Sequence, residues 1–247
     1  MKNDHTQSRR YFFKACASVA GLIATQPKLL ANTNSRYKPY NKVLLVDSQG
    51  EPLSAKTLDT NQCFIFQYPY KTTPCFLLNL EQSITSQQMT DESGQAYEWP
   101  GGAGPNQSIV GFSAICAHKL SYPTKTASFI NFRSEDITFH KQDQQTETRK
   151  NTIYCCSERS VYDPAKGAEV LGGPAPAPLT SIILEYQSDD DLIYAVGTSG
   201  TEQYDRFFEK FEFRLQLDNK IENVLEQPVE TTQVLSMDEY SAHNKVC

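Results

Sequence analysis

What most constrains the fold of this chain is its punctuation: from about Arg36 onward, short apolar runs alternate with turn signals. Lys42 to Val46 reads as a strand closed by Asp47-Ser48-Gln49-Gly50 and Pro52. Cys63-Phe64-Ile65-Phe66 and Cys75-Phe76-Leu77-Leu78 are two apolar runs parted by Tyr68-Pro69-Tyr70 and Pro74. After the break Trp99-Pro100-Gly101-Gly102-Ala103-Gly104-Pro105, a strand from Ser108 to Ala114 leads straight into Cys116. Ser181 to Tyr186 and Leu192 to Val196 pair as a hairpin across Gln187-Ser188-Asp189-Asp190-Asp191. Strands this short, at this spacing, predict an all-β fold, an antiparallel sandwich or barrel. Ser121 to Thr152 is rich in Lys, Glu, Gln and Thr and is longer than most connections, so it carries a hairpin of its own or a functional insertion. Phe207-Phe208-Glu209-Lys210-Phe211-Glu212-Phe213 reads as a strand or one turn of helix. The polar, weakly patterned residues after Glu222 read as a loose tail or a docking arm.

A chain of 247 residues has enough surface to bury for one good core and at most a small second lobe. Its net charge of −6, with no basic stripe, excludes nucleic acid and anionic membranes as natural partners. Of the seven cysteines, Cys16 falls in the N-terminal segment and the rest are irregularly spaced, which argues against a small disulfide scaffold. Cys63 and Cys75 are either bridged or buried singly as small apolar residues. No serine–histidine–carboxylate arrangement, phosphate-cradling glycine loop or mononuclear iron triad is visible, so the chain is not read as a stand-alone catalyst.

Ser8-Arg9-Arg10-Tyr11-Phe12-Phe13-Lys14 fits the twin-arginine export pattern, and Ala15 to Thr25 supplies a mildly apolar stretch behind it. That stretch is too short to cross a bilayer, which takes roughly 20 residues. Cleavage is expected near Leu29-Leu30-Ala31; an uncleaved segment would leave a membrane tether. The expected destination is the periplasm, reached already folded, a route suited to proteins that take up a cofactor in the cytoplasm.

The chemistry-bearing residues sit on two short loops. One is Cys116-Ala117-His118; the other is Cys155-Cys156-Ser157-Glu158-Arg159-Ser160-Val161-Tyr162-Asp163. Each loop opens on a cysteine and is followed by a proline-bearing turn. Thiolates and imidazole are residue types that can ligate a transition metal such as iron. Further segments accompany them: Tyr68-Pro69 with Pro74-Cys75, Gly101-Gly102-Ala103-Gly104-Pro105, Phe112-Ser113-Ala114-Ile115 before Cys116, and Gly173-Pro174-Ala175-Pro176-Ala177-Pro178-Leu179. In order and wording these segments, spanning roughly residues 60 to 200, resemble the Rieske iron–sulfur family. Within it they are most similar to the group that includes the small subunit of arsenite oxidase.

The resemblance implies an antiparallel sandwich or barrel bearing a small cluster-binding subdomain, with a [2Fe–2S] cluster held by two thiolates on one iron and two imidazoles on the other. With the export motif and the polar C-terminal residues, the expected division is a signal segment at 1–31, a Rieske-type domain at 36–215 and a polar tail at 216–247. The cluster-binding loops fall at 114–123 and 153–179. Cys116, His118 and Cys155 match ligand positions, and the loop at Pro174 matches the one that covers the cluster. Ser160 and Tyr162 match the hydroxyls that donate to cluster sulfur and to a ligating thiolate, which raises the potential.

Three departures matter. The inter-loop disulfide of many relatives falls at Ser121 and Ser157, so the loops are expected to be held by backbone hydrogen bonds and packing alone. A proline of many relatives is Cys156, and the second histidine is Glu158. Four readings of the fourth ligand stay open, with Glu158 leading: Glu158, Cys156 in its place, His140 swung in from the insertion, or no cluster at all. The function implied is periplasmic one-electron transfer. The chain would serve as the small subunit of a larger oxidoreductase or respiratory complex, its partners a larger redox subunit, a c-type cytochrome or a quinol-oxidising complex. The rivals are a cluster-free interaction subunit of the same fold and a thiol-redox role for the adjacent Cys155 and Cys156.

Overall fold

A computed structural model describes residues 36–60, 62–245 and 247. The twin-arginine motif and the cleavage region lie outside the described residues. The fold is all-β, built on one large sheet and one small one. The large sheet contains β1 (Lys38–Val46), β2 (Phe64–Gln67), β3 (Pro74–Asn79), β6 (Ile109–Ser113), β13 (Ser181–Gln187), β14 (Leu192–Ser199), β15 (Thr231–Gln233) and β16 (Leu235–Ser236). Their order is β15-β1-β14-β13-β6-β3-β2-β16. All pairings in it are antiparallel except β1 with β15. The ends of the sheet curl toward each other until Thr232 meets Gln67. The Gln67 amide donates to Thr232 Oγ1 (3.3 Å), and that hydroxyl donates to the Gln67 carbonyl (2.9 Å), nearly closing a barrel. Closure hides strand edges that would otherwise offer unpaired amides.

The small sheet has order β12-β11-β10-β7, from β7 (Ile130–Arg133), β10 (Thr152–Cys155), β11 (Ser160–Asp163) and β12 (Glu169–Gly172). Two hairpins flank it, β4 (Gln87–Thr90) with β5 (Ala96–Trp99) and β8 (Ile137–His140) with β9 (Thr146–Arg149). The long Ser121 to Thr152 stretch therefore supplies a core strand as well as a hairpin. β3 shows how the core divides, because it is buried on both faces. Cys75 and Leu77 point into one apolar cluster with Val43, Leu45, Phe66 and Ile193. Phe76 and Leu78 point the other way, into the cluster shared with Trp99, Ile130, Ile153 and Tyr162 of the small lobe. Period-2 alternation thus feeds two cores from one strand.

Two expectations are corrected and one open alternative is decided. The Phe207 to Phe213 run is neither strand nor single turn. It lies inside a 16-residue helix, α1 (Tyr204–Asn219). Tyr204, Phe207, Phe208, Phe211 and Leu215 recur at helical spacing and pack on Ile115, Leu120, Tyr122 and Val224. Phe213 and Leu217, 75% and 63% exposed, fall outside that stripe. The residues after Glu222 are not a loose tail: they supply β15 and β16, then α2 (Met237–Tyr240), whose Met237 enters the core. Ser236 and Glu239 cap α2 reciprocally, which fixes its start. Finally, Cys63 and Cys75 are free thiols. Phe66, not Cys63, stands opposite Cys75, and the Cys75 thiol donates to the Tyr68 carbonyl at 2.8 Å. Among the described residues no helix is long and apolar enough to cross a membrane.

Candidate metal centre

The two cysteine loops adopt the same local geometry. In the first, leaving β6, the Leu120 amide donates to the Cys116 carbonyl at 3.0 Å, and Leu120 takes φ +62°. In the second, between β10 and β11, the Arg159 amide donates to the Cys155 carbonyl at 2.7 Å, and Arg159 takes φ +60°. Left-handed backbone at a residue with a β-carbon costs about 1 kcal/mol or more. It is imposed twice here, each time four residues after a cysteine, and the turn it closes aims amides back at sulfur. The amides of His118 and Lys119 donate to Cys116 Sγ, and those of Ser157 and Glu158 donate to Cys155 Sγ. Such donors favour the thiolate over the thiol.

The cysteines of the two loops meet. Both are buried, and their thiols are within hydrogen-bonding reach of each other. The hydrogen bond from Cys155, followed by the Tyr162 hydroxyl and the loop amides, outweighs burial and holds Cys116 below the ordinary thiol range. The same contact, with burial, pushes Cys155 up. Burial above all, then the charge of Cys116, raises the Tyr162 phenol, which keeps its proton. Its oxygen lies 3.2 Å from Cys116 Sγ and accepts from the Ala117 amide at 3.3 Å. Strand register explains the convergence. Cys155 stands opposite Ser160 and Ile153 opposite Tyr162, so these four side chains share one face of the β10–β11 hairpin.

Two polar atoms at the site are buried without a hydrogen-bond partner: His118 Nδ1 and Ser160 Oγ. A buried polar atom left unpaired costs about 1–3 kcal/mol. An imidazole nitrogen and a hydroxyl in that condition, beside paired thiols, are what a bound iron–sulfur cluster would satisfy. Among the described residues no three His, Cys, Asp or Glu side chains converge as a lone metal ion requires.

The fourth place fits less well. Glu158 lies in the neighbourhood of His118, but its carboxylate pairs with Lys119 Nζ at 2.7 Å. That hydrogen bond leads the causes that hold the Glu158 carboxyl below its ordinary value. His140 is not brought to the site: it is exposed on the β8–β9 hairpin, with Nδ1 3.3 Å from Thr146 Oγ1. Cys156 is removed both as a ligand and as a vicinal redox partner of Cys155, because it is bonded to Cys247. Pro174 is exposed, and its neighbour Ala175 is the residue that packs with Cys116, Cys155 and Tyr162. That segment lies so close to the second loop that a β-carbon on Gly173 would stand 2.3 Å from the Arg159 carbonyl oxygen.

Backbone bonds and packing are not the sole links between the loops. Ser121 Oγ donates to Ser157 Oγ at 2.9 Å, and Lys119–Glu158 adds an ion pair. Sequence reasoning missed α1 as a support of the first loop, although the stripe from Tyr204 to Leu215 was there to read. It also missed the Cys156–Cys247 pairing, which no spacing signals.

No protein-family model matches the chain. It is similar to the soluble domain of Rieske protein II (soxF) from Sulfolobus acidocaldarius, with 26% sequence identity over 66% of this chain and 82% of that one. The TM-score is 0.43, and the functional assignment rests on the site's own residues.

Proposed function

We propose that this chain holds a Rieske-type [2Fe–2S] cluster between residues 114–123 and 153–179 and carries one electron at a time. The observation that supports this best is the meeting of the Cys116 and Cys155 thiols at the start of two loops, each of which turns two amides toward its own sulfur. When bound, the cluster supplies reversible one-electron redox chemistry. The chain's part is to hold it and tune it. Cys116 and Cys155 offer a pair of thiolates stabilised by loop amides. His118 offers Nδ1, and Ser160 and Tyr162 offer hydroxyls to the sulfur side. Glu158 would be the fourth donor in this proposal, and Lys119, its partner here, would supply a nearby counter-charge. An anionic oxygen there favours the oxidised state and lowers the potential relative to an imidazole.

On this reading the protein is exported folded to the periplasm and serves as the small subunit of a larger oxidoreductase or respiratory complex. Its electrons pass to or from a larger redox subunit, a c-type cytochrome or a quinol-oxidising complex. One observation favours the rival, a cluster-free interaction subunit of the same fold: the Lys119–Glu158 ion pair closes the fourth donor. The test is the full chain made with its export motif disabled in iron-replete cells. Iron and labile sulfide near two per chain, with an EPR signal of low average g after dithionite reduction, are expected. Cys116→Ser and Cys155→Ser should abolish both, and Glu158→Gln should change the signal. A chain without iron or sulfide after reconstitution establishes the rival.

A further inference from the structure

We infer that the Cys156–Cys247 disulfide is the positioning device of the second cysteine loop, stapling it to the C-terminal segment so that Cys155 and Glu158 stay in register with the first loop. The inference rests on the reading above for what the loops hold, and adds what holds the loops. Cys156 is the residue between Cys155 and the donors Ser157 and Glu158, so a covalent bond on it restrains all three. Its partner lies 91 residues further along the chain.

The segment that carries Cys247 is itself anchored at the same place. The Ala242 amide donates to the Lys125 carbonyl (3.0 Å), the Ser128 amide to the His243 carbonyl (2.9 Å), and the Lys245 amide to the Ser128 carbonyl (2.9 Å). Ser128 and Asn244 form a parallel bridge, and the Asn131 side-chain amide donates to the Lys245 carbonyl at 3.2 Å. Cys156 completes the arrangement, its amide donating to the Phe129 carbonyl at 2.6 Å. Asn131 in turn lies opposite Tyr154 on β7, and Ile130 opposite Cys155. The disulfide therefore joins two segments, the second loop and the C-terminal residues, that both hydrogen-bond to residues 125–131, next to the strand that pairs with Cys155.

The contacts that link the two loops directly are weaker than a covalent bond. Ser121–Ser157 is a hydrogen bond between exposed hydroxyls. Lys119–Glu158 is an ion pair with side chains 58% and 31% exposed, and such pairs hold weakly in water. A cross-link closing a long loop removes many open conformations that those contacts leave accessible.

The test uses the full chain, iron-free and reconstituted, with Cys156→Ser/Cys247→Ser and, separately, Cys247→Ser alone. In the iron-free chain, iodoacetamide labelling of each cysteine is followed by peptide mass. Cys116 and Cys155 should label at least about tenfold faster in both variants, the factor by which a locally opened state gains when about 1.4 kcal/mol of restraint is lost. Cys75, buried in the barrel, should keep its rate. In reconstituted protein, bleaching by EDTA should quicken and the reduced EPR g-values should shift. Ser121→Cys/Ser157→Cys on the double-serine background, which cross-links the loops directly, should restore both. Unchanged labelling of Cys155 overturns the inference, and so does acceleration of Cys75 along with the others, which would mean global loosening. A chain that never takes up iron defeats the functional reading, while the labelling arm still decides this one.

Discussion

At the scale of the residue, the informative atoms are those that ought to have partners. Ser160 Oγ and His118 Nδ1 are buried and unpaired, while the Tyr162 hydroxyl, on the same hairpin face as Ser160, is satisfied by Cys116 and Ala117. Ser160→Ala therefore separates two states of the protein. In the iron-free chain it should leave urea stability unchanged or raise it by about 1 kcal/mol, because it removes an unpaired buried hydroxyl. In the loaded chain it should lower the reduction potential by tens of millivolts, about 59 mV for each tenfold change in a one-electron equilibrium. A large destabilisation of the iron-free chain would show that Ser160 holds the fold and awaits no ligand. Cys155 and Ser160 were legible one by one, through the resemblance, as a ligand and a hydroxyl donor; that they stand opposite each other on paired strands is shown only by the structure. The ion pair of Glu158 was not legible, because Lys119 lies on a different loop.

At the scale of the element, α1 carries more than its sequence advertises. Phe207 is fully buried and stacks edge-on with Tyr122, just beyond the first loop, at a centroid distance of 4.9 Å. Ile115 and Leu120, on either side of Cys116 and His118, complete the same cluster. Phe207→Ala should cost about 3–5 kcal/mol in chemical denaturation, the usual loss for a buried aromatic ring. It should also loosen the first loop, read as faster labelling of Cys116 than of Cys75. The helix escaped the strand-like reading because Phe208-Glu209-Lys210-Phe211-Glu212-Phe213 mixes aromatic and charged residues at short range. The period of 3.6 shows only when Tyr204 and Leu215 are included. The β13–β14 hairpin was legible, because its strands are contiguous apolar runs separated by an aspartate-rich turn.

At the scale of the whole molecule, the two lobes are tied by polar contacts as well as by the shared core. Arg36, just before β1, pairs with Asp91 in the turn of the β4–β5 hairpin and donates to Gln95 Oε1 at 2.7 Å. Burial opposes ionisation of Asp91, but the Ser93 hydroxyl, the Gln95 and Ser93 amides and the Arg36 charge outweigh it and hold the carboxyl below its ordinary value. A carboxyl lowered on folding contributes stability above its unfolded value, near 3.9, and loses it as pH falls through the folded one. Asp91→Asn should therefore be less stable than the unmodified chain at neutral pH, with the gap closing as pH drops below about 4. Parallel urea titrations across pH measure the gap, and a constant difference down to strong acid would remove Asp91 as its source.

The sequence by itself determined the all-β character, the strand that leads into Cys116 and the β13–β14 hairpin, because period-2 patterning and turn chemistry are local; the pairing of β10 with β11 behind Cys155 came only with the structure. The sequence also singled out the cysteines, His118, Ser160 and Tyr162 as residues worth bringing together. Tertiary structure alone decided how they are supported. The closing of the barrel by Thr232 on Gln67, the seating of α1 behind the first loop, the pairing of Lys119 with Glu158 and the bond from Cys156 to Cys247 all join residues distant in sequence. Contacts between distant residues leave no periodic mark on the chain, since packing selects them and no local preference of either partner records the other.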